Sequence, residues 1–256
     1  KNEYWHRVIE RKPVRLLVLS LLVILVGGIV EMVPTFLVTS NVPTIESVRP
    51  YTPLELEGRD LYIREGCYNC HSQMVRPLRF ETARYGEYSK AGEFVYDHPF
   101  QWGSKRNGPD LHREGRGNKQ NRPDSWHYLH MLEPQEISPG TIMPAYPWMI
   151  DDDLDVSLSE KKISVMRKLG VPYEEGYENK VLEDMDKQAT GIAESILKDL
   201  KKGEYSSDKV NELKKKEIIA LIAYLQRLGS DIHNTTEQTL DTAITISEIN
   251  NKVESK

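Results

Sequence analysis

The chain has 256 residues, 39% hydrophobic and 29% charged, which is enough to bury a core in one or two domains and too apolar for a disordered polyelectrolyte. Its net charge of -5 hides an asymmetry: Lys1, Arg7, Arg11, Lys12 and Arg15 against Glu3 and Glu10 make residues 1–15 +3 and leave -8 to the remainder. No Lys/Arg-rich stripe with interleaved aromatics is present, so the charge pattern points to membrane topology and away from nucleic acid.

The basic amino end, residues 1–12, precedes an apolar stretch over residues 13–38. From Leu16 to Val30 every residue but Ser20 is apolar or glycine, and Pro13 to Met32 is about 20 residues, the length of a bilayer-crossing helix. A cleaved signal peptide would have a shorter apolar core and a small-residue cleavage site, whereas Pro34-Thr35-Phe36-Leu37 follows, so a retained single-pass anchor in contact with lipid is expected. The positive-inside rule puts the amino terminus in the cytoplasm and the body outside. Glu31, near the outer end of the span, is costly in lipid unless it reaches the interface or a partner subunit, which makes it a partner-facing candidate. Because Lys1 is not a methionine, trimming or origin in a longer polypeptide is expected at this end.

After a polar linker, residues 39–51, Thr52-Pro53-Leu54-Glu55 combines an N-cap threonine, a first-turn proline and a glutamate three residues on, the pattern of a capping box. The helix should run to about Glu65 and stop at Gly66, with Gly58 letting another helix approach closely. Cys67-Tyr68-Asn69-Cys70-His71 follows. Cys-x-x-Cys-His is the attachment pattern of c-type haem: two thiols add to the vinyl groups and the adjacent imidazole binds iron. A zinc site would need about two more ligands at short spacing and a thioredoxin-like pair a βαβ context, and neither is visible. Both cysteines fall in the motif, so none remains for a structural disulfide.

The second axial ligand has several candidates: Met74, Met131, Met143 and Met149, and His98, His112, His127 and His130. Met143 is best placed, in the loop Pro139-Gly140-Thr141-Ile142-Met143-Pro144, which can fold back over the far haem face; a thioether there raises the potential. Met131 lies in an expected helix from Trp126 to Leu132, where core packing is the commoner use. Ser157-Leu158-Ser159-Glu160 should cap a helix ending near Leu169-Gly170, and Val181 to Leu200 is amphipathic. The stretch 174–216 is a charged helical insertion, expected to act as a solvated lid or partner contact. Residues 217–229 form a strongly apolar-faced helix, with Gly229 a stop, and 230–256 a polar tail.

The pairing of an early helix with a late one carrying Tyr224-Leu225 resembles class I cytochrome c, as does Asn107-Gly108-Pro109-Asp110-Leu111, in which the Pro109 carbonyl would accept the His71 proton. The fold expected is mainly α: one N-terminal transmembrane helix, then a class I cytochrome c-like all-α haem domain with long loops over residues 52–229. Cys67 to Pro77, Arg84 to Ser89, Tyr96 to Arg106 and Met143 to Trp148, in that order, resemble the monohaem subunit of cbb3-type cytochrome c oxidase. That resemblance implies a bacterial inner-membrane protein with one covalent haem c and a periplasmic haem domain. It implies His71 and Met143 as axial ligands, a dihaem cytochrome c subunit as donor and a haem-copper catalytic subunit as acceptor, in aerobic respiration. The subunit would be a non-catalytic relay in an oxidase that couples oxygen reduction to proton transport. Arg76 and Arg106 are candidates for the haem propionates, and Tyr96, Trp102, Ser104 and Lys105 for a partner surface. Two other classes stay open, the electron-donating small subunit of nitric oxide reductase and a haem-based gas sensor.

Overall fold

A computed structural model describes residues 4–38, 43–97, 99–103, 105–201 and 206–232. The chain divides into two units, residues 1–44 and 45–256. The first holds α1 (Trp5–Glu10) and α2 (Pro13–Leu37). Pro13 opens α2, where its missing N–H costs nothing. Apolar side chains then cover the helix on every side, and Pro13–Thr35, 23 residues of mean hydropathy 2.8, is none of it buried within the chain. Among the described residues this is the one helix long and apolar enough to cross a membrane. The helix runs on through Glu31 and Pro34 to Leu37, within the apolar stretch 13–38, and the Thr35 hydroxyl donates to the Glu31 carbonyl at 3.2 Å.

The second unit is built from α3 (Pro53–Arg64), α4 (Arg79–Tyr85), α5 (Asp124–Leu132), α6 (Pro134–Ile137), α7 (Trp148–Asp151), α8 (Ser159–Lys168), α9 (Val181–Lys201), α10 (Ser207–Leu213) and α11 (Glu217–Arg227). Among the described residues there is no strand. The expected capping box opens α3: Glu55 N–H donates to Thr52 Oγ1 at 3.3 Å and Thr52 N–H to Glu55 Oε2 at 2.8 Å. Gly66, at φ 69°, turns the chain out of the helix, a conformation that costs glycine no Cβ strain.

The architecture turns on the crossing of α3 and α11. A Cβ on Gly58 would overlap the Ala220 carbonyl and sit 2.9 Å from Tyr224 Cβ, so the two backbones touch where the sequence allowed close approach. Every residue of α11 is buried, and Tyr62 and Tyr224 pack with centroids 5.4 Å apart. At one end of the crossing Arg64 Nη1 donates to Glu217 Oε1 at 2.7 Å. Gly229, at φ 63°, ends the last helix as expected.

Two local expectations need correction. Ser157 does not cap α8, which starts at Ser159; the Ser159 hydroxyl instead donates to the buried Glu57 at 2.6 Å, and Lys162 Nζ reaches Glu57 and Asp60 at 2.6 Å each. A tertiary acceptor outcompetes the local cap. The insertion is not merely a solvated lid, either: α9 buries Val181, Met185, Ala189, Ile192, Ala193, Ile196 and Leu197 in the common core and turns its charged residues outward, together with Leu182 and Leu200. Its apolar residues recur at helical spacing, which is why so charged a stretch still contributes core. The polar tail from 233 onward lies outside the described residues.

Candidate haem site

Cys67–Asn69 is a single 3-10 turn. Cys70 and His71 N–H donate to the Cys67 carbonyl at 3.1 and 2.9 Å, so the motif folds on itself at the end of α3. The loop carrying Gly108 and Pro109 closes against it: Gly108 N–H donates to the Cys70 carbonyl at 3.0 Å, and a Cβ on Gly108 would lie 2.6 Å from His71 Nδ1 and 2.8 Å from Nε2. Only glycine lets this backbone pass the imidazole so closely. The next carbonyl, of Pro109, lies 2.8 Å from His71 Nδ1. A carbonyl can only accept, so the proton sits on Nδ1 and Nε2 is left as a lone-pair donor for a metal. Burial pushes the imidazole below its ordinary range against the pull of Pro109, which favours this neutral form.

A frame of side chains fixes the segment after the motif. Asp110, 1% exposed, accepts from Ser72 Oγ at 2.6 Å, Met74 N–H at 2.9 Å and His112 N–H at 2.9 Å. Gln73 N–H donates to the Trp102 carbonyl at 2.6 Å. Arg106 binds Ser72 Oγ at 2.6 Å, the Met74 carbonyl at 2.9 Å and Glu81 at 2.7 Å. Arg76 also pairs with Glu81. Burial would raise the Glu81 carboxyl, but the bonds from Arg106 and Arg76 win and hold it below its ordinary range. Asp110 and Glu81 did not stand out in the sequence, where an isolated acid in a loop looks the same whether solvated or load-carrying inside the fold.

One cleft brings the expected site together. Cys67, Cys70, His71, Pro109 and Met143 all line it, with an apolar wall of Tyr62, Leu111, Met131, Leu221 and Leu225 and a cavity of about 360 Å³. Burial pushes the Cys67 thiol up to about 12, which favours the neutral thiol. Among the described residues no group of three or more His, Cys, Asp or Glu is placed to hold a metal ion by itself. Two thiols, a preset imidazole, a thioether and an apolar wall match what a covalent haem with two axial ligands requires. His127 and His130 line the same cleft, whereas His112 faces Glu93.

The remaining candidates lie elsewhere. Arg76 and Arg106 do not line the cleft but an adjoining depression, with Phe80, Arg84 and Tyr85, that shares the Asn107, Gly108 and Pro109 loop with it. Trp102 is 62% exposed and Lys105 exposed; Tyr96 is half-buried; Glu31 is exposed on α2. Ser104 and His98 lie outside the described residues. Of the other aromatics in this segment, Tyr85 is buried with Arg84 and Arg106 over its ring, and Phe100 packs on Phe94 at 4.2 Å.

The family described as cytochrome c oxidase, mono-heme subunit/FixO, matches residues 6–232. A comparison with the curated proteins finds no match.

Proposed function

Since the chain belongs to the FixO family of mono-haem cytochrome c oxidase subunits, we propose that it is the membrane-anchored relay of a cbb3-type oxidase, passing electrons from a dihaem cytochrome c subunit to the haem-copper catalytic subunit. The family makes it a haem protein of electron transport. The observation that carries the finer reading is the convergence of Cys67, Cys70, His71 and Met143 on one cleft. The haem, bound through thioethers to Cys67 and Cys70, supplies a reversible one-electron iron couple.

The chain's residues do the rest. His71 presents Nε2 because Pro109 fixes its tautomer. Met143 offers a soft sulfur that favours the reduced state. Tyr62, Leu221 and Leu225 keep water from one wall of the cleft. No side chain needs to act as acid, base or nucleophile. The helix α2 retains the protein in the bacterial inner membrane with its amino end cytoplasmic and its haem domain periplasmic, following the positive-inside rule. Glu31 on α2, and Trp102 and Lys105 on the exposed loop, are the surfaces we assign to partner subunits.

The test is purification from the native membrane in mild detergent. The expected result is a haem that stays on this chain under denaturing conditions and co-purification with a copper-containing multi-helix subunit. Isolation of the complete chain alone would sink the oxidase assignment. Carbon monoxide binding to the reduced protein would indicate an open iron face and the sensor alternative.

A further inference from the structure

The cleft has a polar side that the axial ligands do not use. Glu114, Gln120, Arg122, Trp126, His127 and His130 line it. Arg122 is the one cation among the described lining residues. Its guanidinium lies over the Trp126 ring, 5.4 Å from the centroid, and Trp126 stacks on His130 at 4.4 Å and 17°. The Arg122 backbone is pinned, its carbonyl accepting from Gln226 Nε2 at 2.7 Å. Among the described residues no carboxylate oxygen lies within the 4.0 Å of an ion pair to it.

Beside it, His127 is 2% exposed and its Nε2 has no hydrogen-bond partner; the nearest carboxylate oxygen, of Glu114, is 4.0 Å away. His130 Nδ1 is buried without a partner as well. Burial pushes the Glu114 carboxyl up to about 7 against the pull of Arg122, so it is no full counter-charge. Burial, then the neighbouring His130 and Arg122, brings His127 down to about 3, leaving a neutral ring with one N–H to give. Buried polar atoms left unpaired have given up their hydrogen bonds to water with nothing in exchange. A guanidinium and two imidazoles gathered without an acceptor suit an anion with several oxygens.

The haem called for above is itself two-sided: one edge is consumed by Cys67 and Cys70, and another carries two carboxylates. We propose that Arg122, together with the Nε2–H of His127, seats the haem propionates, in place of Arg76 and Arg106. The inference rests on the haem reading. Arg76 and Arg106 are held by Glu81 and do not line the cleft, but the depression on the other side of the Asn107–Pro109 loop. The cation beside the propionates also stabilises the reduced haem, which carries one more negative charge than the oxidised form.

The experiment uses the haem-loaded full chain and its variants Arg122→Gln, Arg122→Lys, His127→Phe and Arg76→Gln. Midpoint potentials come from spectroelectrochemical titration, and the propionate bending band from resonance Raman. Arg122→Gln should shift the equilibrium toward oxidised protein three- to tenfold, the upper limit being about 59 mV for one electron. Its propionate band should move, and Arg122→Lys should recover most of the potential. His127→Phe should move the band with a smaller effect on potential, and Arg76→Gln should change neither. The methionine-to-iron band should persist in all four, which separates loss of a propionate partner from collapse of the site. An unshifted midpoint and band in Arg122→Gln overturns the assignment, with or without a shift in Arg76→Gln. Absence of covalent haem from the wild type overturns the proposed function itself, and this inference with it, and is a visibly different result from an unshifted potential.

Discussion

Gln73 and Tyr224 hold each other inside the core: the amide Nε2 donates to the tyrosine hydroxyl at 2.9 Å, and the hydroxyl lies 3.2 Å from the amide oxygen. Both side chains are fully buried. The bond ties the last helix to the residue two positions after His71, so packing at one end of the chain fixes the backbone that carries the imidazole.

Tyr224→Phe keeps the ring and strips the partner from a buried amide. The expected loss is about 1–3 kcal/mol, the cost of leaving such a group unsatisfied, read as a lowered thermal midpoint by circular dichroism. An unchanged midpoint would mean that the amide finds another partner.

Gly58→Ala places a methyl group against the Ala220 carbonyl and should cost at least about 1–3 kcal/mol through overpacking. Gly191→Ala, in α9, meets nothing within 4 Å and should stabilise by about 0.4–1 kcal/mol through the unfolded state. Equal effects of the two substitutions would show that the helix crossing is looser than the contact implies.

The buried Glu93 is the clearest source of acid sensitivity. Its carboxylate accepts from Arg113 Nη1 at 2.6 Å and Nη2 at 2.9 Å and lies 3.0 Å from His112 Nε2. Burial alone would raise its pKa, but the bonds from His112 and Arg113 bring it down to about 2. A depressed carboxylate stabilises above its unfolded value of 4.5, and that contribution fades as pH falls from there to about 2. Unfolding free energy measured across this window should drop in the wild type. In Glu93→Gln it should be flatter, lying below the wild type by about 3–5 kcal/mol above pH 4.5, where Arg113 is left buried without its counter-charge, with the gap closing as pH falls toward 2. A variant with the wild-type slope would assign the acid response to other groups.

Met143→Ala should abolish the methionine-to-iron charge-transfer band of the oxidised protein and lower the midpoint potential, since the thioether favours reduced iron. A band that survives the substitution would move the sixth ligand to another residue.

Much of this was legible in the sequence, for local reasons. Thr52 and Glu55 form the capping box they spell, the Cys67–His71 motif sits where Gly66 releases the chain, and Gly58 marks the crossing it permits. What could not be read depends on neighbours distant in the chain. Ser159 looks like part of a cap until Glu57, 102 residues away, takes its hydroxyl. Arg76 and Arg106 look like two free loop cations until the fold brings both to a single buried glutamate, Glu81. Arg122 sits in a polar run with no pattern to single it out; only the cleft shows what it faces.

The Arg64–Glu217 contact joins residues 153 positions apart, and the crossing it closes supplies a wall of the haem cleft. Closing so long a loop is entropically late, and contacts this remote slow folding. During synthesis the two cysteines therefore emerge well before the helix that will wall them in. On the proposed covalent haem, an open chain with both thiols accessible is the form in which a bulky porphyrin is most easily attached, and the attached ring would then offer a surface to the helix that closes the cleft. The order of residues along the chain is in this sense a schedule for assembly as well as a description of the fold.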